Sequence, residues 1–158
     1  MEKTNVMRIL SSRKIVYEAF DYSSTGLTNA LEIAHYLKVD PRQVFKTLVT
    51  RSNSSFYVFV VPSCTELDLK KASKVVNEKS IEMLPSKDLL KITGYIHGGC
   101  SPIGMRKFFK TYFDKSCLNF DSIYFSAGKV GLNVKVKVED ISKVIHIGFS
   151  DLVKEEIR

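Results

Sequence analysis

The run TGYIHGGCSPIGMRK, Thr93 to Lys107, places His97, Cys100, Ser101 and four glycines within reach of one another. Three side-chain chemistries are conceivable. A serine nucleophile elbow needs G-x-S-x-G on a strand-to-helix turn, with an acid and a histidine following. Here Pro102 follows Ser101 directly and removes the N–H that such an elbow gives to an oxyanion. Cys100 has His97, His35 and His146 as conceivable bases, but no cysteine-hydrolase context surrounds it, so it reads as a buried thiol. His97 and Cys100 have a spacing found in metal sites, yet Cys64 and Cys117 stand alone, and no metal or other cofactor is expected. A backbone role remains. Adjacent Gly98 and Gly99 let a ligand approach the main chain, whose N–H groups can hold a carbonyl oxygen or a phosphate. A tight structural turn uses the same residue types.

The second chemical feature is a lysine where none is expected. In VFKTLVT, Val44, Lys46, Leu48 and Thr50 share one strand face, and Phe45, Thr47 and Val49 share the other. Neither is a water-facing side. Desolvating an ammonium costs several kcal/mol, of order 3 or more. Lys46 therefore either snorkels to a sheet rim or waits in a pocket for an anion.

The elements that must hold these residues follow from periodicity. Thr4 to Arg13 has the spacing of a short amphipathic helix, and KIVYEAFDY alternates as a strand. A helix is expected over residues 28–38, with an asparagine cap and an inward stripe of Leu27, Ala30, Leu31, Ala34 and Leu37. VFKTLVT and FYVFVVP read as strands, the second apolar on both faces and so central in a covered sheet. TELDLKKASKVV reads as a helix capped by Thr65, and SKDLLKIT as a shorter one after Pro85. DSIYFSAGKVGLNVKVKV reads as two strands turning through Gly128 to Gly131, and EDISKVI as a closing helix. In the last strand Leu132, Val134, Val136 and Val138 face inward, whereas Asn133, Lys135 and Lys137 share a face on which the two lysines are solvated. Strands and helices mix without a βαβ cadence, which implies an α+β fold with a mixed, strongly curved sheet rather than a doubly wound one.

With 158 residues, 44% of them hydrophobic, and no repeat or linker, residues 1–158 read as one domain. No apolar run spans a bilayer, nothing resembles a signal peptide, and three widely spaced cysteines suit a reducing, cytoplasmic setting without a membrane partner. The formal charge of +7 permits a polyanionic partner without requiring one.

Beyond these readings, VFKTLV (Val44 to Val49), LDLKKASK (Leu67 to Lys74), TGYIHGGCSPIG (Thr93 to Gly104) and IYFSAGKVGL (Ile123 to Leu132) occur in this order. Together they resemble the YbaK/prolyl-tRNA-synthetase-associated domain family of free-standing editing proteins, in particular its Cys-tRNA(Pro) deacylase branch. The resemblance implies a curved, mixed, barrel-like sheet with surrounding helices, and trans-editing hydrolysis of amino acids wrongly attached to tRNA, without a metal. Expected partners are the 3′ acceptor end of an aminoacyl-tRNA and prolyl-tRNA synthetase. It implies that Lys46 meets the phosphate near the tRNA 3′ end. Gly98, Gly99, Ser101, Pro102 and Gly104 would line the aminoacyl pocket, with Ser126, Gly128 and Lys129 on the facing loop. Thr47, beside the lysine, and Tyr22 are further substrate contacts. Relatives often carry His-x-Tyr-x-His where this chain has Phe20-Asp21-Tyr22-Ser23-Ser24, an aliphatic residue at Cys100, and an arginine at Val130. In that branch the substrate's own cysteinyl thiol attacks its carbonyl, which suits a chain without a triad. The alternatives are a non-catalytic module binding tRNA or a synthetase through the same pocket, and a cysteine-dependent hydrolase using Cys100.

Overall fold

A computed structural model describes residues 2–155. The chain runs α1 (Asn5–Ser12), β1 (Tyr17–Asp21), α2 (Ala30–Leu37), β2 (Phe45–Arg51), β3 (Phe56–Pro62), α3 (Leu69–Val75) and β4 (Glu82–Met83). It continues through α4 (Ser86–Thr93), β5 (Lys110–Asp114), β6 (Ser122–Lys129), β7 (Leu132–Lys137), α5 (Val138–Ile141) and β8 (Ile147–Ser150). The expected mixture of helices and strands is present. The single curved sheet is instead divided into an antiparallel sheet, β1-β7-β6, and a mixed sheet, β4-β2-β3-β5-β8. Among the described residues the two are joined by one bridge, Val44 to Tyr124, and no closed barrel forms.

The core follows from strand polarity. β3 is buried almost throughout and pairs with β2 on one side and β5 on the other, so apolar residues on both its faces are covered. One cluster packs Phe45, Val49, Val58 and Val60 with Phe125 and Val134 between the sheets. A second packs Tyr57, Phe59, Val61, Leu67 and Ala72 beneath α3. Burying each valine, leucine or phenylalanine among them stabilises by roughly 1.5–3 kcal/mol relative to exposure.

Asn29 caps α2 as its sequence suggests, accepting from the backbone N–H groups of Leu31 and Glu32 at 2.9 and 3.2 Å. The inward stripe is shifted, however: Ile33 and Ala34 are buried while Leu31 is exposed. Asp68, not Thr65, caps α3. The backbone at Leu67 and Asp68 is held extended by a bridge to Val153 and by the Asp68 N–H donating to the Leu152 carbonyl. The helix can begin only beyond them.

β4 is only two residues long and covers only Thr50 and Arg51 of β2. Phe45 to Leu48 therefore have a strand partner on the β3 side alone, apart from the bridge at Val44. That open edge faces the gap between the sheets.

Candidate active site

The open edge of β2 is where the site forms. A cavity of about 340 Å³ wraps around it and is lined from both strand faces, by Val44, Lys46 and Leu48 and by Phe45 and Thr47. Such a volume lies within the range of small-ligand pockets, about 300–1,000 Å³. The three-stranded sheet supplies Tyr22, just beyond β1, with Ser126 of β6 and Asn133 of β7. Thr28, Ala30 and Ile33 close one side, and Leu89, His97, Gly98 and Cys100 close another.

Lys46 is half-buried, and its Nζ donates to the Thr65 carbonyl at 2.7 Å. An ammonium has three donors, so two remain for another acceptor. Burial lowers the Lys46 pKa, opposed by the negative charge that Glu66 and Cys64 contribute nearby. An anion entering the cavity would reverse that penalty. Thr47 Oγ1 is buried without a hydrogen-bond partner, a state that costs about 1–3 kcal/mol until something satisfies it. The Val49 carbonyl accepts from Leu84 N–H on the open edge, whereas the Val44 carbonyl accepts from Ser63 N–H on the β3 side. Alternation of an antiparallel ladder then turns the Thr47 N–H and C=O toward the open edge as well.

Cys100 forms part of the wall, and burial pushes its thiol up to about 12, which leaves it neutral and a poor nucleophile. Tyr22 is buried and its phenol is likewise raised by burial. Among the described residues no three His, Cys, Asp or Glu side chains cluster as metal ligands would.

The structure brings Lys46, Thr47, Tyr22, Gly98 and Ser126 to this cavity and places Gly99, Ser101, Pro102, Gly104, Gly128 and Lys129 outside its lining. Gly99 N–H already donates to the Ile96 carbonyl at 3.0 Å. A Cβ on Gly99 would sit 3.1 Å from the Val130 nitrogen, so this glycine lets the loop dock on the β6–β7 hairpin. Ser101 is fully buried and its Oγ accepts from Ile103 N–H at 3.3 Å, bracing the loop from within. Pro102 is buried beside it. Gly104 and Gly128, both at positive φ, flank Tyr95, whose hydroxyl donates to the Ile103 carbonyl. Lys129 pairs with Glu2 at the surface.

Asn133 is the functional candidate that sequence patterning passed over. Its place beside Lys135 and Lys137 suggested a water-facing side, yet it is 5% exposed and borders the cavity. Lys137 is exposed as expected, but Lys135 is half-buried, its ammonium 5.9 Å from the Tyr124 ring centroid and 3.9 Å from Glu18. That face of β7 is thus covered at one end. Only a sheet-level view of what lies opposite Asn133 could have found it. His97 also lines the cavity, while His146 is exposed.

Residues 26–144 match the family model of the aminoacyl-tRNA editing domain. Over 157 residues the chain is 39% identical to a protein of Enterococcus faecalis provisionally named as the Cys-tRNA(Pro)/Cys-tRNA(Cys) deacylase EbsC, covering 98% of this chain and 96% of that one. It is 28% identical over 81 residues to a proline–tRNA ligase of Fervidobacterium nodosum, covering 51% of this chain and 14% of the ligase. In fold it is similar to a solved structure provisionally described as a trans-editing enzyme for prolyl tRNA synthetase. The TM-score is 0.83 at 20% identity, over 98% of this chain and all of the other.

Proposed function

Since the chain belongs to the aminoacyl-tRNA editing domain family, we propose that it is a trans-editing aminoacyl-tRNA deacylase whose substrate is Cys-tRNA(Pro). Residues 1–158 act as one editing domain in the cytoplasm, with prolyl-tRNA synthetase as a partner. The observation that carries this reading is the half-buried Lys46 ammonium in a cavity whose other wall is Gly98.

The aminoacyl group enters the cavity with its ester near Lys46. The cysteinyl thiol of the substrate attacks its own ester carbonyl, and the carbon–sulfur bond forms as the bond to the ribose oxygen breaks. The thiol proton passes to that oxygen, which leaves as the free terminal hydroxyl of tRNA, and water opens the resulting four-membered thiolactone to cysteine. A well-oriented intramolecular attack has an effective molarity of order 10⁵ M or more, so no protein nucleophile is required. This suits a site whose wall cysteine is neutral. The protein supplies position and charge. Lys46 stabilises the developing oxyanion or the adjacent phosphate. Because Gly99 N–H is already committed to Ile96, Gly98 is the loop glycine left to contribute a main-chain donor. Thr47 Oγ1, Tyr22 and Ser126 orient the ribose and amino group, and Gly99, Ser101, Pro102, Gly104, Gly128 and Lys129 hold the two loops that carry them.

The test is a panel of tRNAs charged with cysteine, S-methylcysteine, alanine and serine. Cysteine should be released at least tenfold faster than the others. S-methylcysteinyl-tRNA hydrolysed as fast as cysteinyl-tRNA would remove the thiol mechanism. Tight binding without hydrolysis of any member would make the protein a binding module instead.

A further inference from the structure

We infer that a second depression, on the far side of Lys46, seats the penultimate cytidine of the tRNA 3′ end; this rests on the deacylase reading above. The depression has a volume of about 530 Å³. Lys46 and Leu48 line both cavities and so form the partition between them. A strand with its ester in the first cavity and its last phosphate at Lys46 leaves one nucleotide, on the 5′ side of that phosphate, to occupy the second.

The chemistry of the depression fits such an occupant. Leu48, Leu69 and Met83 give it an apolar floor, and Met83 is 42% exposed. The polarizable thioether and the two leucines suit the flat face of a base. Lys70 and Lys154 stand at its margin. With Lys46 they set three ammonium groups against the carboxylates of Glu66 and Asp68, a balance that tolerates phosphates. One oxygen of Asp68 is committed to the helix cap, Oδ1 accepting from the backbone N–H groups of Lys70 and Lys71. Among the described residues the Glu66 carboxylate makes one ion pair, exposed, with Lys154, its Oε1 3.3 Å from the ammonium. Exposed pairs of this kind are weak, of order 0–1 kcal/mol, so the carboxylate is available. A carboxylate accepts from an exocyclic amino group, and cytosine offers one at N4. The position next to the terminal adenosine makes the base a cytosine. Because tRNAs share a CCA end, the contact serves any tRNA and leaves discrimination to the aminoacyl cavity.

The experiment measures binding of an acceptor minihelix carrying cysteine through a non-hydrolysable amide, ending either CCA or CUA. Uracil presents an acceptor where cytosine presents the N4 donor. Wild-type protein should bind the CCA form roughly tenfold tighter. Glu66→Ala should bring the two within about twofold, and any effect of Glu66 on Lys46 cancels in that ratio. Lys70→Ala combined with Lys154→Ala should weaken both forms and flatten the salt dependence by about 0.7 per lost phosphate contact. Equal wild-type binding of the two ends, or a Glu66→Ala variant that keeps the full preference, overturns the assignment. Hydrolysis of cysteinyl-tRNA is scored separately. Loss of the end preference in an active enzyme rejects the cytidine seat alone, whereas an inactive wild type rejects the deacylase reading.

Discussion

Lys46→Met isolates the charge that the site depends on, because methionine keeps most of the stem and removes the ammonium. Among the described residues that ammonium makes one hydrogen bond, 2.7 Å to the Thr65 carbonyl, and it is penalised by burial. Loss of the bond and relief of the penalty oppose each other, so stability should change by about 1 kcal/mol or less. For a chain of this size that moves Tm by no more than about 4 °C. Transition-state stabilisation has no such offset. Removing one preorganised donor from an oxyanion site costs about 10²–10³ in kcat, and the same loss is expected here. Single-turnover release of cysteine from Cys-tRNA(Pro), beside a thermal melt, reads both quantities. Turnover within threefold of wild type would refute the role of Lys46, and a melting point lowered by more than about 10 °C would show that the residue holds the fold instead. The pH profile gives the sign. The charged lysine is the active form and its pKa is lowered by burial, so kcat/KM should fall as pH rises through a value below the ordinary lysine range. A bound phosphate favours the ammonium, so the corresponding fall in kcat should lie at higher pH.

Thr47→Val removes a buried hydroxyl that lacks a partner, so the free protein should become more stable by about 0.5–1 kcal/mol while kcat/KM falls roughly tenfold; a lower melting point would mean the hydroxyl is satisfied in the free protein. A brief maleimide pulse on native protein should label exposed Cys64 and spare Cys100 and Cys117, whose thiols are buried and pushed up to about 12; mass spectrometry showing Cys100 labelled first would restore it as a nucleophile. Gly99→Ala puts a Cβ 3.1–3.3 Å from the backbone of Lys129 and Val130, so it should cost about 1–3 kcal/mol in urea melts and lower kcat by parting the loops; unchanged behaviour in both would show the contact yields freely.

Much of this site was legible in local pattern, and the gaps have a common cause. The misplacement of Lys46 on an apolar strand face follows from period alone, and the structure puts that lysine beside a cavity. The cap at Asn29 is likewise local. What local pattern could not show is anything set by distant chain. β5 and β8 went unread because KTYFD adjoins the mixed apolar and basic MRKFF, and IGFS is four residues long with a glycine that makes room for the Tyr112 ring. Both are fixed by parallel partners far along the chain, β3 and β5. Asn133 looked solvated because its strand neighbours are lysines, and only the approach of β2 across the gap makes it part of a pocket. Ser101 carries a residue type that suggests chemistry and a position that supplies bracing.

The short β4 has an effect beyond recognition. A strand edge with unused amides is a template on which another polypeptide can add, and folded proteins usually blunt such edges with charge, proline or cover. Along Phe45 to Leu48 the guard is the recess itself, walled by α2 and the diglycine loop. Loosening that loop would therefore expose a docking rail for foreign chains at the same moment that it spoils the pocket. Variants weakened there should precipitate sooner than their loss of stability alone would explain, and an occupant of the recess should keep them in solution.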